Sequence, residues 1–191
     1  MKNTIKTITF TVIAIVTLSF TAVETEKKEV KIENSKVVWK GYKVTGSHEG
    51  TVNLKSGSLT FHNDKLTGGE FIIDMETIVS TDLTGEYKEK LEGHLKSDDF
   101  FGVKNNPTAK LKFTDAKSKG KNSYTITGDL TIKGKTNPVT FDISIYGKKA
   151  TAALKVDRTE YDVKYGSASF FDGLKDKAIY DEFDLVVDLE F

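Results

Sequence analysis

The chain contains no cysteine. That excludes a disulfide scaffold, a cysteine-ligated zinc or iron–sulfur site, a thiol nucleophile and a lipid-modified N-terminal cysteine. The redox compartment stays open, because a cysteine-free chain suits either. Charge of one sign is lacking too: 28 Lys+Arg stand against 28 Asp+Glu in 191 residues. The balance provides no electrostatic footprint for nucleic acid and no polybasic anchor for a membrane. Only two prolines occur, Pro107 and Pro138, each at the start of an alternating run where a missing N–H is tolerated. The three histidines, His48, His62 and His94, lack the paired spacing of a zinc site, so no metal and no cofactor is expected. There is no G-x-S-x-G elbow. The run Gly128 to Thr136 looks like a phosphate loop, but has one residue too many between its glycines and alternates like a strand.

The one long uncharged run lies at the start. Lys2 and Lys6 precede Ile8 to Phe20, which carries no charge, and from Glu24 the sequence turns polar. A basic start followed by a short apolar stretch predicts a cleaved secretory signal peptide over 1–22, with Ala22 or Ser19–Thr21 at the cut. The run is short for a bilayer span of roughly 20 residues. Residues 23–34 read as a polar linker, and 35–191 as the folded domain. The expected location is periplasmic or secreted.

What the rest contains is alternation of period two. Phe183, Leu185, Val187, Leu189 and Phe191 alternate with polar residues. The same holds for Tyr124, Ile126, Leu130 and Ile132, for Val139, Phe141, Ile143 and Ile145, for Ala150, Ala152, Leu154 and Val156, and for Ala109, Leu111 and Phe113. Earlier come Val37 and Trp39, Val52 and Leu54, Leu59 and Phe61, then Phe71, Ile73 and Met75. One face of each run is buried and the other is wet. Short turn-forming breaks such as Asn63-Asp64, Gly134 and Gly147 join them as antiparallel hairpins. Leu83, Tyr87, Leu91 and Leu95 recur every four residues instead, predicting a short helix with Asp82 as its N-cap. A second helical turn is expected near Leu174–Ile179. The fold class is therefore all-β: an eight-stranded antiparallel barrel with a short helix between strands 3 and 4, with a two-sheet sandwich as the rival. An outer-membrane barrel would crowd Lys and Glu into a narrow lumen, so no stable membrane insertion is expected.

The candidate lining is the alternating set Phe71, Ile73, Leu111, Phe113, Ile126, Leu130, Phe141, Ile143, Leu154, Val156, Leu185 and Val187. Periodicity specifies the face, not the depth. The mouth or head-group candidates are His48, His94, Phe100, Phe101 and Arg158. Arg158 is the sole arginine among 27 lysines, which points to a place where its planar fork matters, either on a carboxylate or on a ligand. No catalytic residue is assigned. A charge at Phe141 or Leu154 is expected to eject a bound ligand before it unfolds the barrel.

Several blocks resemble the YceI-like family in order and spacing: Val37–Gly41, His48–Gly50, Gly68–Met75, Leu91–Phe101, Asn106–Ala109, Gly128–Gly134 and Asp157–Thr159. The family often has Trp where this chain has Tyr161. The resemblance implies a lipocalin-like, extended barrel holding a long apolar molecule: a polyisoprenoid, an isoprenoid quinone or another lipid. It implies a lipid-binding, carrying or storing protein without established catalysis. The expected partner is thus a lipid, with no nucleic acid; a homodimer is left open. Two alternatives stand beside it. One is a structural or stress-response barrel with a filled core. The other is an enzyme acting on a lipid or quinone through His48, His94 or Arg158.

Overall fold

Five tight turns organise the sheet. Asn63 and Asp64 take φ of 48° and 61°, and Lys133 and Gly134 take 49° and 72°. Two left-handed residues in succession make the turn whose twist matches that of paired strands. The computed structural model describes residues 25–191, which form nine strands: β1 (Thr25–Glu29), β2 (Lys36–Lys43), β3 (Gly46–His62), β4 (Lys65–Ser80), β5 (Thr108–Gly120), β6 (Ser123–Ile132), β7 (Lys135–Tyr146), β8 (Lys149–Asp157) and β9 (Ile179–Glu190). Two-residue turns join β2–β3, β3–β4, β5–β6, β6–β7 and β7–β8. All pairings are antiparallel. The order runs β3-β2-β9-β8-β7-β6-β5-β4, and β4 pairs back onto β3, so eight strands close the barrel. The rival sandwich is excluded by that closure.

Within the stretch 23–34, read above as a linker, Thr25–Glu29 form a strand of the sheet. β1 pairs with Ser58–His62 of β3, end to end with β2 on the same edge. Its Lys–Glu run hid it, because an edge strand with both faces wet shows no apolar alternation. The expected signal segment, 1–22, lies outside the described residues.

The helix, α1 (Gly85–Lys96), connects β4 to β5, between the third and fourth strands of the closed barrel. It starts later than expected. Thr84 is the N-cap residue, while Asp82 instead accepts hydrogen bonds from Ser80 and His48. Of the helical stripe only Leu95 is fully buried, and Tyr87 is exposed. A 3-10 turn at Lys175–Lys177 marks the second helical segment.

Inside the barrel the apolar face does not fill evenly. Phe71, Phe113 and Phe141 stack across one half, with ring centroids 5.6 Å and 5.9 Å apart. These are ordinary distances for attractive tilted aromatic pairs. Two glycines make room: a Cβ on Gly57 would lie 2.7 Å from the Phe71 ring, and one on Gly69 would lie 2.8 Å from the Phe113 ring. Ile126, Ile143, Leu59 and Leu66, all almost fully buried, complete this plug. At the other half, Gly50 holds the closest approach: its Cβ would meet the Val79 carbonyl oxygen and the Trp39 indole.

A pair of glycine substitutions tests this packing. Gly50→Ala must displace backbone and is expected to destabilise the fold by at least about 2 kcal/mol. Gly93→Ala, with open space around it in α1, should stabilise by about 0.5–1 kcal/mol. Chemical denaturation of both variants checks the contrast; equal effects would refute it.

Candidate functional site

Beyond the plug the lumen is hollow. Six strands turn residues toward this space: Val37 and Trp39 of β2, Val52 of β3, Ile73, Met75 and Ile78 of β4, Ala109 of β5, Leu130 and Ile132 of β6, Phe183 and Leu185 of β9. Leu95 of α1 and the pair Phe100–Phe101 close it from above. The cavity measures about 120 Å³ and its wall presents no polar atom. Tyr42, Tyr180 and Glu182 also border it, and Tyr180 is 55% exposed, so the cavity reaches solvent on that side.

The size matters. An engineered apolar cavity of about 150 Å³ holds one benzene. A space of this size, open at one side, accommodates the end of a hydrocarbon chain.

Of the twelve lining candidates, Ile73, Leu130 and Leu185 border the cavity. Phe71, Phe113, Ile126, Phe141 and Ile143 belong to the buried plug, and Val156 is buried away from the cavity. Leu111, Leu154 and Val187 are half-buried and pack against the core without bordering the cavity. The alternation identified the inward face, but aromatic bulk decided which layer is solid. Phe141 thus falls within the plug, packed against Phe113. Leu154 does not border the cavity either. Trp39, the sole tryptophan, was visible as an inward strand residue, yet nothing local marked it as a cavity wall. Its indole N–H is buried without a partner.

Of the mouth candidates, Phe100, Phe101 and Arg158 border the cavity. The histidines do not. His48 lies on β3 with Nδ1 2.9 Å from Asp82 Oδ2. His94 sits between rings, 4.4 Å from Tyr165 and 5.5 Å from Phe100, with Nε2 buried and unpartnered. His48 is thus held by Asp82, while His94 and Arg158 each lie against the Phe100 ring. Among the described residues no cluster of three His, Asp or Glu could hold a metal ion.

Arg158 is 2% exposed, and its fork is spent on backbone. Nη1 donates to Val163 O at 2.6 Å, Nη2 to Ile179 O at 2.9 Å and Nε to Tyr180 O at 3.0 Å. Asp181 Oδ1 lies 3.6 Å away, and the guanidinium carbon is 5.6 Å from the Phe100 ring centre. Burial pushes the Arg158 pKa down, against the opposing pull of Asp181 and Asp157. Burial also pushes Asp181 up, but hydrogen bonds from Ser167 and Ser169 and the charge of Arg158 hold it below the ordinary carboxylate value. One side chain therefore ties together both ends of the 163–180 segment, beside the cavity. The planar fork was anticipated; backbone carbonyls as its main partners were not, because residues 5 to 22 positions away meet it only in three dimensions.

With fold and cavity described, comparison with known proteins supplies the family. The YceI-like domain model matches residues 22–191. The chain belongs to the YceI-like family. A UPF0312 protein of Pseudomonas putida (strain W619) is 32% identical over 148 residues, covering 73% of each chain. The crystal structure of Burkholderia cenocepacia BcnA shares the fold at TM-score 0.66 and 23% identity, covering 84% of this chain and 98% of that one. A polyisoprenoid binding domain from Saccharophagus degradans matches at TM-score 0.59 and 13% identity, covering 88% and 98%.

Two predictions follow from this geometry. Arg158→Lys keeps the charge but cannot serve three carbonyls in one plane, so it should destabilise by about 1–3 kcal/mol and speed amide exchange across 163–180. Unchanged exchange there would show that the clamp is not needed. Tyr161 is fully buried, its hydroxyl has no partner, and burial pushes its pKa up to about 12. The folded state holds that proton more tightly than the unfolded chain, whose tyrosine titrates near 10. Stability from this group is thus present below pH 10 and lost as pH rises from about 10 to 12. Tyr161→Phe should remove that alkaline slope and raise stability at pH 7 by about 1 kcal/mol; denaturation at pH 7 and pH 11 reads both.

Proposed function

We propose that this protein binds a lipid-class molecule by inserting its hydrocarbon end into the barrel cavity. The observation that carries the reading is an apolar, preformed pocket, walled by strand residues and roofed by Leu95, Phe100 and Phe101, beside the aromatic plug. A space without polar atoms has nothing to offer a polar guest, and an apolar pocket open at one side is the usual ligand site. Family membership and the description of the Saccharophagus domain as polyisoprenoid binding support the same class of ligand. A polyisoprenoid or isoprenoid quinone fits it. Binding needs no reactive side chain: every 100 Å² of hydrocarbon removed from water contributes about 2.5 kcal/mol before association costs. The reading assigns no catalytic step.

The reading extends to a periplasmic or secreted carrier or store, in which 1–22 is removed on export. N-terminal sequencing of the mature protein tests that step.

Native mass spectrometry of freshly purified protein should show an adduct that denaturing conditions strip and solvent extraction recovers. Leu130→Trp should fill the cavity and abolish the adduct while costing at most about 2 kcal/mol of stability. Wild-type protein that never carries or takes up a lipid would refute the reading. The same spectra report whether the protein is a monomer or a homodimer.

A further inference from the structure

Residues 158–178 join β8 to β9, in a barrel whose other strand connections are short or carry α1. Long irregular connections in compact domains commonly act as lids or binding loops. The base of this one is fixed. Arg158 donates to Val163 O on one side and to Ile179 O and Tyr180 O on the other. Ser167 is fully buried and Ala178 is buried as well. Between them no residue of 168–177 is buried, yet the stretch carries Phe170, Phe171 and Leu174. The two phenylalanines are 50% and 51% exposed. Among the described residues, one hydrogen bond joins this stretch to a strand: Ser169 Oγ donates to Asp181 Oδ2 at 2.6 Å. Gly166 and Gly173, with φ of 64° and 74°, bracket the phenylalanines in the left-handed region that glycine adopts without strain.

Across a groove of about 680 Å³ this stretch faces the rim of β2 and β9. Phe171 and Leu174 border the groove on one side, Val44 and Tyr180 on the other. Val44 is 52% exposed and Tyr180 55%. Both walls thus hold apolar surface against water, and bringing them together is favourable in proportion to the area removed from water. We propose that residues 168–177 are a hinged flap that swings toward Val44, sets Phe171 against Val44 and Tyr180, and closes the groove. Gly166 and Gly173 absorb the backbone rotation. The structure shows the open position, in which Asp181 holds Ser169. Closure exchanges that hydrogen bond for apolar burial, and the two effects are of similar size, so both positions are populated. Tyr42, Ile179, Tyr180 and Glu182 border the groove and the inner cavity alike, so the closed flap also shuts the open side of the cavity. The motion belongs to the chain itself and needs no guest, so it stands apart from the lipid-binding reading.

The test measures the distance across the groove. The chain has no cysteine, so Thr45→Cys and Asp172→Cys, both exposed, place two unique nitroxide labels, one on the rim and one on the flap. Electron–electron resonance on this pair, without any ligand, should show two distances, the longer from the open flap and the shorter from the closed one. Ser169→Ala, added to the pair, removes the bond that holds the flap open and should raise the closed-to-open ratio about two- to tenfold. Phe171→Ser removes the surface that closure buries and should lower the ratio about tenfold or more. Both side chains are exposed, so neither change touches the core. One unchanged distance in all three proteins overturns the flap. A flap that stays open throughout, in a protein that floats with phosphatidylcholine vesicles only while Phe171 is present, overturns closure and assigns the flap to a membrane surface instead.

Discussion

The closed barrel has a fixed interior, and what matters most is how that interior is divided. A ring of eight strands leaves a lumen just wide enough for side chains or one small guest. Here the Phe71–Phe113–Phe141 stack, seated against Gly57 and Gly69, takes one half. A Cβ at either glycine would collide with the ring it faces. The plug gives the domain a dense core of the usual kind. Because it does so, the opposite half can stay open without the barrel collapsing. The hollow is thus a consequence of where the aromatic bulk is concentrated, and its volume is what remains after the plug is satisfied.

The roof of the hollow comes from outside the sheet. Leu95 at the end of α1, Phe100 and Phe101 cover it, and Arg158 secures the neighbouring crossover to β9. Glu92 of α1 accepts a hydrogen bond from the Ser80 N–H at 2.9 Å, and Asp82 gathers Ser80 and His48, so the helix is fastened to the end of β4. The polar groups near the mouth are largely occupied in holding this roof. That is why the site reads as a container for hydrocarbon, with His48 held by Asp82 and Arg158 by three backbone carbonyls.

Electrostatics near the opening follows the same logic. Tyr42 donates to Asp184 Oδ2 at 2.6 Å while Lys155 meets Oδ1 at 2.8 Å. These two partners hold the Asp184 carboxyl below its ordinary range despite some burial. The lysine that could have attracted an anion is neutralised on the rim. Surface ion pairs of this kind add little stability, but they determine which charges are left over for a guest.

Much of the architecture could be read from one dimension. Strict alternation in β6, β7 and β8, two-residue turns with Asn, Asp and Gly, and one stretch of period four specify an antiparallel all-β fold with an inserted helix, because each is a local signal of backbone geometry and face, while the pairing of β4 with β3 decided for a closed barrel over a sandwich. The edge strand β1 escaped, since a charged strand wet on both faces leaves no such mark. The blocks that resemble the YceI-like family were equally legible, and the matched domain covers the same region. What no pattern could reveal was depth. Phe141 of β7 and Leu130 of β6 are both buried inward residues of alternating runs, yet one plugs the lumen and the other faces the cavity. Likewise Arg158 could be singled out by its rarity, but not joined to Val163, Ile179 and Tyr180. Whether an inward side chain meets another side chain or empty space depends on strands distant in the chain, and these become neighbours only when the barrel closes.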